Sequence, residues 1–410
     1  MEVTLKKGGG RALKSGGAFV YDNEIDTLKG DFENGDIVKV LDFDGYFLGY
    51  GFINTNSVIR IRMLSRYRKE PPDEKFFKER VKAAWELRKA VIDTGSCRII
   101  FGEADFLPGL TVDKYEDILV FECLALGMKK LLPVVIPALL SVLSEDGIDI
   151  RGVYERSDAP VIKKEGLEPA KGWYFKKEPD DDIPTNIIIT ENGIRYKVDF
   201  ENGQKTGFFL DQKNNRRLLH DLVEKLKQNG DSVSVLDCFT HMGTFALNAA
   251  KGGADKVIAL DISSTAIEAA RENALMNDLS DRVSFIECDV FEKLPQLISE
   301  GEKFDIVVLD PPAFTKSREA TKRAIAGYRE INMRGLSLVR ERGFLLTCSC
   351  SHFMTNELFT KMMREAAKGA KKRIRQLSFS QQAPDHPVLI NSEENSYYLK
   401  FFIFQVMTEK

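Results

Sequence analysis

Several features that would mark particular protein classes are missing from this 410-residue chain. Its six cysteines include no C-x-x-C pair, and a chain of this length needs no covalent staples, so reduced thiols are expected rather than a disulfide framework. The N-terminal run MEVTLKKGGGRALKSGG has no apolar core of the kind a signal peptide requires. The most apolar stretch, LLPVVIPALLSVL (Leu131–Leu143), reads as too short to cross a bilayer and contains prolines. A cytoplasmic protein with no membrane partner is therefore expected. Neither sign of charge dominates: the formal net charge is -3 and the pI near 6.0, which argues against nonspecific coating of nucleic acid. No internal repeat or low-complexity tract is present. His220, His241, His352 and His386 fall into no hydrolytic arrangement, and Cys348-x-Cys350-x-His352 does not match zinc-ligand spacings, so no metal site is expected.

The chain does hold two local basic stretches, RIRMLSRYRK (Arg60–Lys69) and KMMREAAKGAKKRIR (Lys361–Arg375), each either a solvated face or a nucleic-acid contact. Up to about Arg68, short strands between glycine turns predict a small β-barrel. RKEPPDEKF breaks the chain as a linker. A helix over about Phe76–Ala90, strands near 97–101, 110–112 and 118–124, a helix near Lys129–Ser144 and the hairpin IIITENGIRYKVDF make the middle α+β. After Asp231, apolar runs (VSVLDCF, KVIALDI, RVSFIECDV, FDIVVLD, GFLLTCSC) alternate with amphipathic helices, the signature of a parallel sheet covered on both faces. The terminal YYLKFFIFQV reads as an antiparallel strand closing that sheet. Domain boundaries are set at 1–70, 73–185 and 186–410.

Ligands of open α/β sheets sit at the carboxyl ends of the strands. There the first strand carries LDCFTHMGTFAL, with Asp237 at the strand end, Phe239 beyond it, Gly243 for a tight turn and Thr244 opening a helix. The second carries ALDIS, with Asp261, Ile262 and Ser263; Asp261 follows Asp237 by 24 positions, close to the spacing at which an acid reaches a ribose hydroxyl. The third carries Asp289 and Val290, with Asp289 placed to accept from an adenine amino group. Each acid could instead be no more than a helix N-cap. The turn supplies one glycine where G-x-G-x-x-G would be needed for a pyrophosphate, and Asp237 suits a cation. S-adenosylmethionine fits this pocket better than NAD.

The fourth strand ends in LDPPAFTKS, where Pro311 and Pro312 hold a rigid loop that fixes Asp310 over the pocket. A D-P-P loop alone would serve methylation of an exocyclic amine. Methylation at pyrimidine C5 needs more, because that carbon has no lone pair; a thiolate must first add to C6. Cys348 and Cys350 end the next strand and, at a spacing of two, point the same way, so spacing does not choose between them, and either could be a small core residue.

The segments NGQKTGFFLDQKNNR (202–216), LDCFTHMGTFAL, ALDIS, LDPPAFTKS and TCSCSHF together resemble the bacterial 23S ribosomal RNA cytosine-C5 methyltransferases of the large-subunit methyltransferase I family. GEADFLPGLTVDKY, YERSD and IRMLSR extend the resemblance over nearly the whole chain. It implies a PUA-like RNA-binding domain over 1–70, a central α+β domain, and a C-terminal Rossmann-like class I methyltransferase domain using S-adenosylmethionine. It also implies that T-C-S marks Cys348 as nucleophile beside Asp310, and that Phe209, Asp211 and Gln212 of GFFLDQ, with Arg216, close over the cofactor. The implied partner is 23S rRNA or a large-subunit particle; a homodimer is left open. Many RNA cytosine-C5 methyltransferases carry a second cysteine where Pro312 stands, though the resembled family shares the D-P-P form. Two other functions compete: an rRNA exocyclic-amine methyltransferase using DPPAF, with the cysteines as bystanders, and a ribosome-assembly RNA-binding factor without turnover.

Overall fold

The computed structural model describes residues 1–180, 182–314, 321–390 and 396–408. The chain folds as two compact units. The first takes Met1–Ile189, Val198–Leu210 and Pro384–Ser396, and the second Thr190–Lys197, Asp211–Ala383 and Tyr397–Lys410.

The first unit opens with β1 (Glu2–Leu5), α1 (Arg11–Lys14), β2 (Phe19–Tyr21), β3 (Ile25–Lys29), β4 (Ile37–Leu41), β5 (Phe47–Ile53) and β6 (Ile59–Ser65). They form one six-stranded sheet in the order β2-β6-β5-β4-β1-β3. The alternation in IVKVL and IRIRMLS puts Val38, Val40, Ile61 and Met63 on one face, where they bury against Val3, Leu5 and Val20. The sheet of this small β domain is mixed, β1 pairing parallel with β4 and antiparallel with β3.

Helix α2 (Glu74–Val91) starts where Asp73 accepts a hydrogen bond from the Phe76 N–H at 2.8 Å, and buries Phe77, Val81, Ala84 and Trp85 at helical spacing. A second sheet, β11-β10-β9-β8-β7, is built from β7 (Ser96–Phe101), β8 (Leu110–Tyr115), β9 (Ile118–Cys123), β10 (Gly152–Ser157) and β11 (Ala170–Lys176). Helix α3 (Leu126–Glu145) is 20 residues long, longer than its apolar centre predicts and long and apolar enough to cross a membrane. Met128, Leu132, Val135, Ile136, Leu139 and Val142 are buried in the same core as α2. Strands β12 (Asn186–Glu191) and β13 (Ile194–Asp199) form the expected hairpin. The loop before it contains Asp181, which lies outside the described residues.

The second unit continues with α4 (Lys213–Gln228), β14 (Ser234–Cys238), α5 (Thr244–Lys251), β15 (Lys256–Asp261), α6 (Ser264–Met276), β16 (Val283–Glu287), α7 (Val290–Ser299), β17 (Phe304–Leu309), α8 (Thr321–Leu338), β18 (Val339–Ser349), α9 (Asn356–Gly369), β19 (Arg373–Ser380) and β20 (Lys400–Met407). The sheet order is β16-β15-β14-β17-β18-β20-β19. Strands β14 to β18 run parallel, and β20 lies antiparallel between β18 and β19. The terminal strand therefore inserts beside β18, and β19, which the basic tract Lys361–Arg375 concealed, takes the edge. That tract is shared between α9 and β19 and is no single basic face. Because the chain steps outward from β14 to β16 and returns to β17 on the other side of β14, the order reverses between β14 and β17. Their carboxyl ends flank the crevice where such folds bind ligands.

Candidate active site

Strand β14 delivers Asp237 into full burial. Its Oδ2 accepts from Thr240 Oγ1 at 2.5 Å and from the Ala246 N–H at 3.0 Å, tying the strand end to the first turn of α5. Its Oδ1 is buried with no hydrogen-bond partner among the described residues. Burial pushes the carboxyl up to about 7, and the neighbouring Asp310 and Asp261 add to the shift. The turn between them is strained: Phe239 and His241 hold φ at 64° and 51°, a region that disfavours side chains. At Gly243 φ is 82°, and a Cβ would approach Ala270 Cβ and Phe285 Cε1 at 3.1 Å. Glycine is needed here.

Asp261, at the end of β15, accepts the His241 N–H on Oδ2 at 2.8 Å and the Ser263 N–H on Oδ1 at 2.9 Å. It shapes both adjacent loops, while Ser263 caps α6 through Ala266 and Ile262 stands 69% exposed. Asp289 is turned to cap α7, accepting from the Phe291 N–H at 2.7 Å, and Val290 is buried behind it. The N-cap alternative describes this acid's side chain in the structure.

Asp310 lies just past β17, and Cys348 near the end of β18, paired to Phe401 of β20. The Cys348 thiol is wholly buried, and the Asp310 carboxyl lies close enough to perturb it. Gln212 bridges the pair, its Nε2 donating to Asp310 Oδ2 at 3.1 Å and to Cys348 Sγ at 3.7 Å. The amide's orientation is fixed in turn: Asn215 Nδ2 donates to Gln212 Oε1 at 2.6 Å, and Ser380 Oγ to Asn215 Oδ1 at 2.7 Å. Burial and the nearby Asp211 raise Asp310 to about 6, and burial followed by the Asp310 charge pushes the Cys348 thiol well up. Cys350 sits beyond the strand, half-buried.

The remaining expected residues are placed variously. Arg216 is buried on α4 and bidentate to Glu191 at 2.6 and 2.8 Å, so its guanidinium is committed to an ion pair within the fold. Asp211 accepts from Tyr398 Oη at 2.6 Å. Phe209 belongs to the first unit, half-buried, with the Lys205 ammonium 5.1 Å from its ring centre. Phe239 packs edge-on to Phe291, which tilts against Phe314. Thr315, Lys316 and Ser317 of the D-P-P loop lie outside the described residues. Sequence reasoning missed Asn215, Ser380, Glu191, Tyr398 and Lys400. Lys400, on β20, donates to the Ser351 and Tyr398 carbonyls at 2.6 and 2.9 Å, and burial lowers it to about 8. A lone lysine inside YYLKFFIFQV was the available signal, since an unpartnered charge is rarely tolerated there.

These residues fit S-adenosylmethionine. A buried carboxyl with an oxygen unused among the described residues calls for a donor or cation, and Asp261 ends the neighbouring strand at the same crevice. Asp237 and Asp310 also predict pH dependence. Their folded-state values, about 7 and about 6, exceed the ordinary carboxyl value, so the ligand-free fold binds extra protons and loses stability as pH rises from about 4 to 7. A cationic ligand opposes that shift. Calorimetric titration from pH 5 to 8 is expected to show S-adenosylmethionine gaining affinity about tenfold relative to the uncharged-sulfur homocysteine product, with proton release on binding.

Comparison with known proteins agrees with this geometry. A PUA-like domain family matches residues 3–66, and an S-adenosylmethionine-dependent methyltransferase family matches residues 174–388. The ribosomal RNA large subunit methyltransferase I of Alteromonas mediterranea is 36% identical over 409 residues, covering 99% of this chain and 98% of the relative. That of Pseudoalteromonas translucida is 37% identical over 408 residues, covering 98% and 99%. Among solved structures, a Streptococcus mutans protein described as a SAM-dependent methyltransferase shares the fold with a TM-score of 0.79 at 21% identity, over 99% of this chain and 100% of its own. A methyltransferase solved in complex with SAH matches at TM-score 0.80 and 21% identity, with the same coverage. Identity sustained along the whole length, on a sheet whose crevice suits a cationic nucleoside, makes this chain a member of the S-adenosylmethionine-dependent ribosomal RNA large subunit methyltransferase I family.

Proposed function

We propose that the protein methylates C5 of a cytosine in 23S ribosomal RNA, through a transient bond between Cys348 and C6 of that base. The relatives' names support the substrate class, and one observation supports the chemistry: a buried thiol bridged to the carboxyl of the D-P-P loop by the Gln212 amide. Bound S-adenosylmethionine supplies an electrophilic methyl group. A cytosine C5 becomes nucleophilic only once sulfur has added at C6. Cys348 is protonated at neutral pH, and Asp310, raised to about 6 yet mostly ionised, accepts the thiol proton. The carboxylic acid so formed holds that proton ready for the pyrimidine N3, which takes up charge as C6 is attacked. The Gln212 amide faces the sulfur and compensates its charge. The target base must leave its stack for sulfur and methyl donor to meet it.

The test is RNA in which cytidine carries fluorine at C5. Methylation then leaves no C5 proton to remove, so the sulfur–C6 bond cannot break, and a covalent complex is expected on Cys348 by peptide mass spectrometry. On unmodified 23S rRNA from a strain lacking the gene, nucleoside analysis is expected to show new 5-methylcytidine. An N-methylated nucleoside with no adduct would establish the exocyclic-amine reading instead, and no product at all the assembly-factor reading.

A further inference from the structure

The first unit holds a pocket of about 370 Å³ that no assigned activity uses. Its wall comes from the end of β6 and the residues after it (Arg66, Tyr67, Arg68), from α2 (Phe76, Arg80) and from Phe106 beyond β7. The volume falls within the roughly 300–1,000 Å³ of small-ligand sites.

The charge on this wall is unbalanced. Arg80 lies with its guanidinium carbon 4.9 Å from the Phe76 ring centre and 4.6 Å from that of Phe106. Its only hydrogen bond among the described residues is a long one, 3.4 Å, to the Leu64 carbonyl, and it has no carboxylate partner there. Arg66 donates to the Leu13 and Gly17 carbonyls and likewise has no acidic partner among the described residues. Arg68 lies 5.1 Å from the ring centre of the pocket's Phe76, reaches Asp73 at 3.1 Å, and has a buried Nε with no partner among the described residues. By contrast Arg60 and Arg62, from the same basic stretch, are neutralised by Asp22 and by Glu103 and Glu165. Burying cations on aromatic faces without counter-charges is costly unless a ligand brings the anion.

The rim is aromatic and held out of the wall. Tyr67 is 91% exposed and Phe106 is 48% exposed, both on backbone with positive φ, 29° and 58°. Strain that presents rings to solvent beside Arg66 and Arg80, which have no acidic partner among the described residues, has a ligand-binding logic. A flat ring to stack and a phosphate to neutralise describe one nucleotide.

We propose that this pocket captures one unstacked nucleotide of an RNA strand, its base on Phe106 and Tyr67 and its phosphate at Arg80 and Arg68. The proposal rests on the reading that the substrate is RNA, and gives the first unit a grip on the strand separate from the methylation chemistry.

The test is fluorescence anisotropy of the full chain with a labelled single-stranded RNA 12-mer, in comparison with Tyr67→Ala, Phe106→Ala and Arg80→Gln. Phe106→Ala and Tyr67→Ala are each expected to weaken binding about 10-fold, as loss of a stacking platform does. Arg80→Gln is expected to weaken it about 5-fold and to flatten the slope of log affinity against log salt by about one. Arg80 is packed, so its variant counts only with an unchanged thermal midpoint; Tyr67 is exposed and carries the test regardless. All variants binding within twofold of the parent with an unchanged salt slope would overturn the proposal. So would a parent chain that binds no RNA, which would leave the pocket to a protein ligand, or full displacement of the strand by millimolar uridine monophosphate, which would make the ligand a free nucleotide. Fluorocytidine adduct formation is scored separately: adduct without pocket dependence defeats this proposal alone, and pocket-dependent binding without adduct defeats only the cytosine-C5 mechanism.

Discussion

Cys348→Ala is expected to abolish methyl transfer, lowering kcat by about 10⁴-fold or more, the order lost when a covalent nucleophile is removed. The alanine leaves a small void under the D-P-P loop, and Asp310 and Gln212 keep each other through their 3.1 Å hydrogen bond, so the site should stay assembled and cofactor affinity should change by less than threefold. Cys350→Ala is the control. That residue lies past the end of β18 and takes no part in the Asp310–Gln212 contact, so its loss is expected to cost less than threefold. Single-turnover assays on 23S rRNA measure both. The reverse order of effects would move the nucleophile to Cys350, and near-normal turnover in both variants would remove thiol chemistry altogether. In the parent protein kcat/KM should fall as pH drops through about 6, because Asp310 must be ionised to accept the thiol proton.

The parts of this protein that declared themselves in its sequence are those where one residue type answers one physical demand. Continuous β-branched runs ending in acids marked β14, β15 and β17, since strands buried on both faces show no alternation and only their ends meet a ligand. Helix α2 was legible from the spacing of Phe77, Val81 and Trp85. The edge strand β19 was hidden because RIRQLSFS has an exposed face and begins inside a run of lysines and arginines that reads as a solvated helix. What a side chain does with its second polar atom was not legible. Gln212 reads as a cofactor contact by motif, yet its amide lies on Asp310 and Cys348; finding that requires Asn215, three residues on, and Ser380, 165 residues beyond that. Asp289 looks like Asp261 at the end of a strand, and only geometry shows that it caps its own helix while Asp261 ties two loops together. The basic stretch Arg60–Lys69 likewise divides into neutralised and unneutralised arginines according to partners scattered along the chain, from Asp22 to Glu165.

Arg216→Met is expected to destabilise the protein by about 3–5 kcal/mol, because it removes the guanidinium that pairs both oxygens of Glu191, whose side chain is 1% exposed. Glu191→Leu should cost a similar amount by removing both carboxylate contacts of the buried guanidinium. The double variant Arg216→Met/Glu191→Leu removes both desolvated charges and is expected to recover most of the loss, since a buried ion pair is worth little more than the apolar packing that replaces it. Urea unfolding of the four proteins measures the coupling. The double variant also separates stability from chemistry. The Arg216 charge holds the Asp310 carboxyl lower than burial alone would leave it. With the fold restored and that charge absent, Asp310 should bind its proton more tightly, moving the acid limb of kcat/KM upward and slowing thiol activation at neutral pH. A double variant with parental stability and an unmoved acid limb would show that Arg216 acts only as a strut between α4 and β12. A displaced limb would make it a positioning residue for the carboxyl that activates Cys348.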